Sequence, residues 1–336
     1  MTTPSMEFLV GKATAQATTA DTAYSTLNGT QASSFFRKVR NLTSGLTQRA
    51  QMVPVVGTHM DFNHVDSTPL MAMGLAETAL MAGTADESAV VFSGRRLTPA
   101  SCRMFIPIAQ HRFLKTNIEG EQVVNTIIDL LAQDFANLSE EVCCTSVAGG
   151  TTGAGYGTGM LSTIDGFGEL AGSGAAYDHG GGYYNTLMFR RLVQAIPLKW
   201  RNAYPRDQWK FFVQADAIIM LQDLFAQRAT PLGDTLIQTE EGNLKMFGIE
   251  LVPVYYIPTN VSGSLTMTGS SDEYTWVMLA RPDNMYLGYR PEMQLFTHPN
   301  EEGNILNISM WAEWAAQFAN VDEVAMAVNV THNVNY

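Results

Sequence analysis

Four residues in the first fifth of the chain have types and spacing that could hold a metal ion: His59, Asp61, His64 and Asp66. Neutral imidazole nitrogens and carboxylate oxygens are ordinary ligands for zinc and related divalent ions. In an extended chain, however, successive side chains point to opposite faces, so His59 and Asp61 share one face and His64 and Asp66 the other. All four converge only where the chain turns at Phe62-Asn63; otherwise they are the polar faces of a solvated hairpin, which is the simpler expectation. A metal-dependent enzyme using His59, Asp61 and His64 stands as the rival.

The remaining chemistry is thinner. Gly153, Gly155, Gly157 and Gly159 alternate strictly, with neither the G-x-G-x-x-G of a dinucleotide loop nor the Lys of a Walker loop, and a helix rather than a strand precedes them. No G-x-S-x-G elbow occurs, and Ser173 lacks the strand, turn and helix around a nucleophile. Cys102 reads as a small buried thiol; of the adjacent Cys143 and Cys144, one is expected in the core and one at the surface. Glu140-Glu141, Glu240-Glu241 and Glu301-Glu302 each sit beside a turn signal and read as solvated acidic surface. No catalytic residue, cofactor or bound metal is expected.

Composition narrows the class further. Of 336 residues only 15% are charged, against about 25% in typical domains, while 46% are hydrophobic, so much of the surface is expected to meet other protein. The balance of 20 basic against 32 acidic residues leaves a net charge of −12, a poor match to a chain that must grip phosphate backbones. Basic residues gather at Arg37, Lys38, Arg40 and Arg49, and again at Arg190, Arg191, Lys199, Arg201, Arg206 and Lys210. Arg outnumbers Lys 14 to 6, and its planar fork suits carboxylates across protein interfaces, so pairing between subunits is expected rather than DNA contact. Three cysteines without framework spacing fit a reducing compartment, and no apolar run has the length or flanks of a signal peptide or a membrane span.

The elements that would position these residues follow from periodicity. Residues 1 to 34, rich in Ala, Thr, Ser, Gln and Gly, cannot make a core of their own and read as an arm that lies across something else. From about Met52 to Thr116 alternating strands with a helix-like insert read as a long β-excursion. Val124, Ile128, Leu131, Phe135, Leu138 and Val142 recur at steps of 4, 3, 4, 3 and 4, which predicts an amphipathic helix over 119 to 143. A long Gly-dense loop follows it. A helix near 185 to 196 ends at Pro197, WKFFVQ is a strand and ADAIIMLQDLFAQR a helix. GIELVPVYYI, YTWVMLA and MYLGYR are strands, and period two at 306 to 314 and 324 to 330 makes the C-terminus close a sheet.

This order of parts resembles the major capsid proteins of tailed bacteriophages. GAGYGTGMLSTIDG is similar to that family's Gly-rich stretch, LFAQRATPLGDTLI with MFGIELVPVYYIP to its run of helix, polar turn and strand, and WVMLARPDNMYLGYRPEMQLF to its final hairpin. The resemblance implies an α+β chain of the Hong-Kong-type capsid fold. Its parts would be an N-terminal arm at 1 to 50, an extended loop at 52 to 116, a peripheral domain at 117 to 184 and 286 to 336 carrying the spine helix 119 to 143, and an axial domain at 185 to 285. It implies a non-enzymatic subunit that assembles with itself as hexamers and pentamers into an icosahedral head, in the host cytoplasm during assembly and in the virion thereafter. Packaged double-stranded DNA is then a weak neighbour, and no membrane is involved. Arg37, Arg40, Arg95 and Arg96 become candidate contacts between subunits. The charged helical scaffolding region of some relatives has no counterpart ahead of the arm, so scaffolding is separate, already removed or unnecessary; portal and cement proteins are the other implied partners. A cellular nanocompartment shell shares the fold and is the nearer alternative.

Some shells of this family are reinforced by a covalent bond from a loop Lys to a neighbouring Asn. The lysines here are Lys12, Lys38, Lys115, Lys199, Lys210 and Lys245, so the stretch from 39 to 114, which holds the projecting part of the excursion, has no amine to offer, and the guanidinium groups of Arg95 and Arg96 stay protonated. Particles boiled in detergent with reductant are expected to run as one band near 36.8 kDa; a ladder of multimers would contradict this.

Overall fold

The helical period in the middle of the chain becomes the longest described helix, and strands before and after it assemble into two six-stranded sheets and one two-stranded hairpin. The computed structural model describes residues 24–27, 45–68, 89–109, 120–145, 165–172, 176–226, 244–259, 274–291, 293–300 and 305–332. In chain order these hold β1 (Tyr24–Leu27), a single turn of helix α1 (Leu46–Arg49), β2 (Gln51–Pro54), β3 (Met60–Thr68), β4 (Ala89–Leu97) and β5 (Ala100–Ala109). α2 (Gly120–Thr145), α3 (Phe167–Gly172), β6 (Tyr177–Asp178), α4 (Thr186–Ala195), α5 (Leu198–Ala203), β7 (Lys210–Gln214) and α6 (Ala215–Ala226) follow. The chain finishes with β8 (Lys245–Met246), β9 (Ile249–Val254), β10 (Tyr274–Ala280), β11 (Met285–Tyr289), β12 (Met293–Asn300), β13 (Ile305–Phe318) and β14 (Val324–Thr331). The Gly-dense loop, most of the arm and the tip of the excursion fall outside the described residues. No described helix is long and apolar enough to cross a membrane.

The 26 residues of α2 span about 39 Å at 1.5 Å per residue. Its buried face differs from the expected stripe. Ala132, Phe135, Ala136, Ser139, Glu140, Cys143 and Cys144 are buried, while Leu138 and Val142 are only half-buried at the flank. The reason is close packing. Cβ atoms on Gly166 and Gly168, which begin α3, would fall 2.4 Å from the Val142 carbonyl oxygen and 2.5 Å from that of Cys144. Backbone meets backbone there, and small side chains on α2 let it happen. Side chains at Val124, Ile128 and Leu131 lie outside the described set.

In the first sheet β13 is the axis. β5 pairs along one edge from Ala109 opposite Ile305 to Ala100 opposite Trp314. Trp314 also pairs with Tyr289 of β11 and Trp311 with Gln294 of β12, so β11 and β12 share the other edge as one interrupted strand. β1 extends this sheet beside β12, and β2 runs parallel to β11.

The second sheet has the order β6-β14-β10-β7-β9-β8, and its four inner strands are buried on both faces. Period two sorts its side chains between two cores. Phe212, Met278, Trp276, Met326 and Val328 face α2 and the first sheet. Phe211, Val213, Val277, Leu279, Ala325 and Ala327 face α4 and α6. On β14 the parity changes after Val328, because Asn329 takes a left-handed φ of 56° and Val330 joins the second core. The Asn329 side-chain Nδ2 donates to Asp178 Oδ1 at 2.8 Å, a polar tether suited to this conformation. Pro197 ends α4 as expected: the last helical residue is Ala195, and α4 itself starts on Asn185, whose side chain accepts from the Met188 amide at 2.8 Å.

The β3–β4 hairpin stands on the first sheet through a small base. Leu97 is fully buried against Gly288, Phe62 lies 4.5 Å from the Tyr286 ring, and Gln317 Nε2 donates to the Arg96 carbonyl at 3.1 Å. A Cβ on Gly288 would meet Leu97 Cδ2 at 2.2 Å and Val55 Cγ2 at 3.0 Å. Gly288→Ala is therefore expected to cost roughly 1–3 kcal/mol by overpacking. Leu97→Ala in the same chain should recover part of that loss, giving a non-additive cycle in urea unfolding; strict additivity would show that the two residues do not meet.

Candidate functional site

The metal constellation does not form. β3 runs unbroken through Phe62 and Asn63, which pair with Arg95 and Gly94, so the turn that convergence requires is absent. Asp61 instead takes a two-point contact from Arg96, Nε at 2.8 Å and a terminal nitrogen at 3.2 Å, with His59 Nε2 at 3.5 Å. The hydrogen bond from Arg96 holds this carboxyl below its ordinary pKa. No cluster of three or more His, Cys, Asp or Glu side chains suited to a metal occurs among the described residues.

Arg96 is thus engaged within its own hairpin, and Arg95 is half-buried at the position opposite Phe62. Arg37 and Arg40 lie outside the described residues. The second basic group is dispersed and mostly occupied internally: Lys210 pairs with Glu250, Arg191 donates to the Tyr177 hydroxyl and covers its ring at 5.0 Å, and Lys199 lies 5.0 Å from the Trp200 ring. Cation and aromatic contacts of this kind hold charged side chains flat on their own surface.

Sequence reasoning missed the most constrained polar group. Glu140 is not solvated acidic surface but 2% exposed, inside α2 and against the start of α1. Its carboxylate accepts from the backbone amides of Leu46 and Thr47, the latter at 2.9 Å, and from the Thr47 hydroxyl. These are the unsatisfied donors at the head of a helical turn, 94 residues away in sequence from the group that satisfies them. Burial pushes the Glu140 carboxyl above its usual pKa, with the three hydrogen bonds acting the other way. Gly45 is required beside it, since a Cβ there would sit 2.1 Å from a carboxylate oxygen. At the far end of α1, Arg49 reaches Glu250 at 3.7 Å. A helix-borne Glu followed by two cysteines carried no sequence signal for this role.

Cys143 and Cys144 are both buried, against the expectation of one inside and one outside, because the α2 face turned toward α3 is wide enough to cover both. Burial raises both thiols well above their normal pKa, and raises Cys102 to about 11. A thiol held protonated is a poor nucleophile, and none of the three is poised for catalysis.

What the surface offers instead is contact. Val56, Tyr255, Leu198, Ile219 and Tyr183 are large apolar or aromatic side chains left open to solvent, Tyr255 by 71% and Leu198 by 65%. The hairpin is a two-stranded sheet whose outer edges find no partner strand among the described residues. Exposed strand edges and scattered apolar groups are the raw material of protein association.

No protein-family model matches the chain, and no curated protein does either. Solved structures do match. The capsid of an empty GTA particle computed with C5 symmetry is 13% identical over 86% of this chain and 90% of that one, with a TM-score of 0.53. The satellite phage P4 procapsid including size determination (Sid) protein is 8% identical, with 98% of both chains covered and a TM-score of 0.61. The holo-SrpI encapsulin complex from Synechococcus elongatus PCC 7942 is 12% identical over 87% and 90%, with a TM-score of 0.52. The chain has the Hong-Kong-type capsid fold, α+β as expected.

Glu140→Ala removes the acceptor and leaves three buried donors unpaired, an expected cost of roughly 3 kcal/mol in chemical unfolding. The pH dependence has a definite sign. Because the folded carboxyl titrates above the unfolded one, its contribution is complete below the unfolded pKa and declines as pH rises through the raised folded value. The stability of the native chain relative to Glu140→Gln should fall across that window and be flat above it. A relative stability that rises with pH would contradict the assignment.

Proposed function

We propose that this chain is the major shell subunit of a tailed-phage head, a structural protein without catalysis of its own. The observation that carries the reading is the fold, matched over nearly the whole chain rather than in one module. The surface supports it: a projecting hairpin with open edges, exposed apolar side chains and few charges make a poor monomer and a good partner for copies of itself. In this reading residues 1 to 50 are the arm, 52 to 116 the extended loop, 117 to 184 and 286 to 336 the peripheral domain and 185 to 285 the axial domain. Arg37, Arg40 and Arg95 are then contacts between neighbours, while Arg96 acts first within the hairpin through Asp61. The net charge of −12 suits a wall beside packaged DNA that must not bind it tightly, with portal, scaffolding or cement proteins as further partners.

The encapsulin among the matching folds supports a second reading, a nanocompartment shell that encloses protein. Purified chain examined by size-exclusion chromatography and negative-stain microscopy is expected to give capsomers or closed particles. Particles recovered from producing cells should contain nuclease-protected double-stranded DNA. Protein cargo without DNA would establish the second reading, and a small soluble oligomer of fixed size would overturn both.

A further inference from the structure

The face built by α4, α5 and the β8–β9 turn carries an open cleft of about 250 Å³. Its floor is apolar and buried, formed by Ile196, Trp209, Ile249 and Leu279. Leu198 stands exposed on its rim, and Arg201 and Arg206 bring two positive charges to it. Among the described residues no acidic side chain lines the cleft. The Nε of Arg201 is out of solvent and makes no hydrogen bond among the described residues. Arg206 spends one nitrogen on the Phe247 carbonyl at 3.2 Å, a neutral acceptor that leaves its charge uncompensated.

The adjoining turn displays an aromatic side chain. Phe247 and Gly248 both take positive φ, 55° and 79°, as the two-residue turn of the β8–β9 hairpin requires, and Phe247 is 41% exposed. An apolar floor, two guanidinium groups short of partners and an exposed aromatic beside them together describe a receptor for a carboxylate flanked by apolar groups. Guanidinium prefers carboxylate in planar two-point contact, and a contact sheltered by apolar walls is screened less than one in open water.

We infer that this cleft docks a carboxylate-bearing segment of a second copy of the chain. The inference rests on the shell-subunit reading and deepens it by locating one contact. Charge complementarity selects this occupant: the chain carries 32 acidic against 20 basic residues, so among the charges that another copy presents carboxylates outnumber cations. A cationic cleft on such an acidic molecule is where its own copies meet attraction instead of repulsion.

The test uses the full chain. A photoreactive p-benzoylphenylalanine at Leu198 is expected to yield crosslinked dimers in the assembled material. Mass spectrometry should place the second peptide on another copy, at a segment containing Asp or Glu. Arg201→Glu with Arg206→Glu should lower the assembled fraction at least ten-fold while leaving the circular dichroism spectrum and the thermal midpoint close to wild type. Crosslinks confined to one subunit, or charge-reversed chain that assembles as wild type does, would overturn the inference. If the reversed chain fails to fold, the crosslink alone decides. Should wild type form only a small oligomer, crosslinks between its copies at Leu198 would retain the cleft and dismiss the shell.

Discussion

A single buried carboxylate joins two parts of this fold that lie 94 residues apart in the sequence. Glu140, near the end of α2, accepts the free amides at the head of α1, while Arg49 at the other end of that turn reaches Glu250 on β9. Gly45 lies between Glu140 and Val254, whose Cγ1 a side chain at that position would meet at 3.1 Å. The entry of the chain into its first sheet, the long helix and the second sheet are thus clamped at one point. Such a clamp is intolerant: a buried acceptor with three donors stabilises when complete and destabilises when any member is lost.

The second sheet plays the corresponding role for apolar packing. Its four inner strands β14, β10, β7 and β9 each serve two cores, and a change at Met278 is felt on the side of α2 while one at Leu279 is felt on the side of α4. Two regions of one chain with a shared wall cannot repack independently. The hairpin, by contrast, meets the body near its base among the described side chains, where Leu97 enters the space that Gly288 leaves vacant. Rigidity is concentrated in the body and projection in the hairpin.

How much of this was legible in the sequence depended on range. α2, α4, α6 and the strands β7, β9, β10, β13 and β14 stood where periodicity put them, because helix and strand periods are local properties. The buried face of α2 was misjudged, since hydropathy gives weight to Leu138 and Val142 and little to Ala132, Ala136 or Glu140, and the small residues are what permit the approach of Gly166 and Gly168. Strand order was beyond reach for the same reason: β13 meets β5 across some two hundred residues of chain. The metal constellation failed on a local fact, the absence of a turn at Phe62-Asn63, while the cationic cleft needed three separated segments to come together before it existed.

The three thiols have a consequence for durability. Oxidation to disulfide or sulfenic acid proceeds through the thiolate, and burial keeps Cys143 and Cys144 in the protonated form and leaves Cys102 little ionised at neutral pH. Transfer from reducing to oxidising solution is therefore expected to form few new covalent bonds at these cysteines. Loss of structure in such a solution would then begin with loosening of packing rather than with sulfur chemistry.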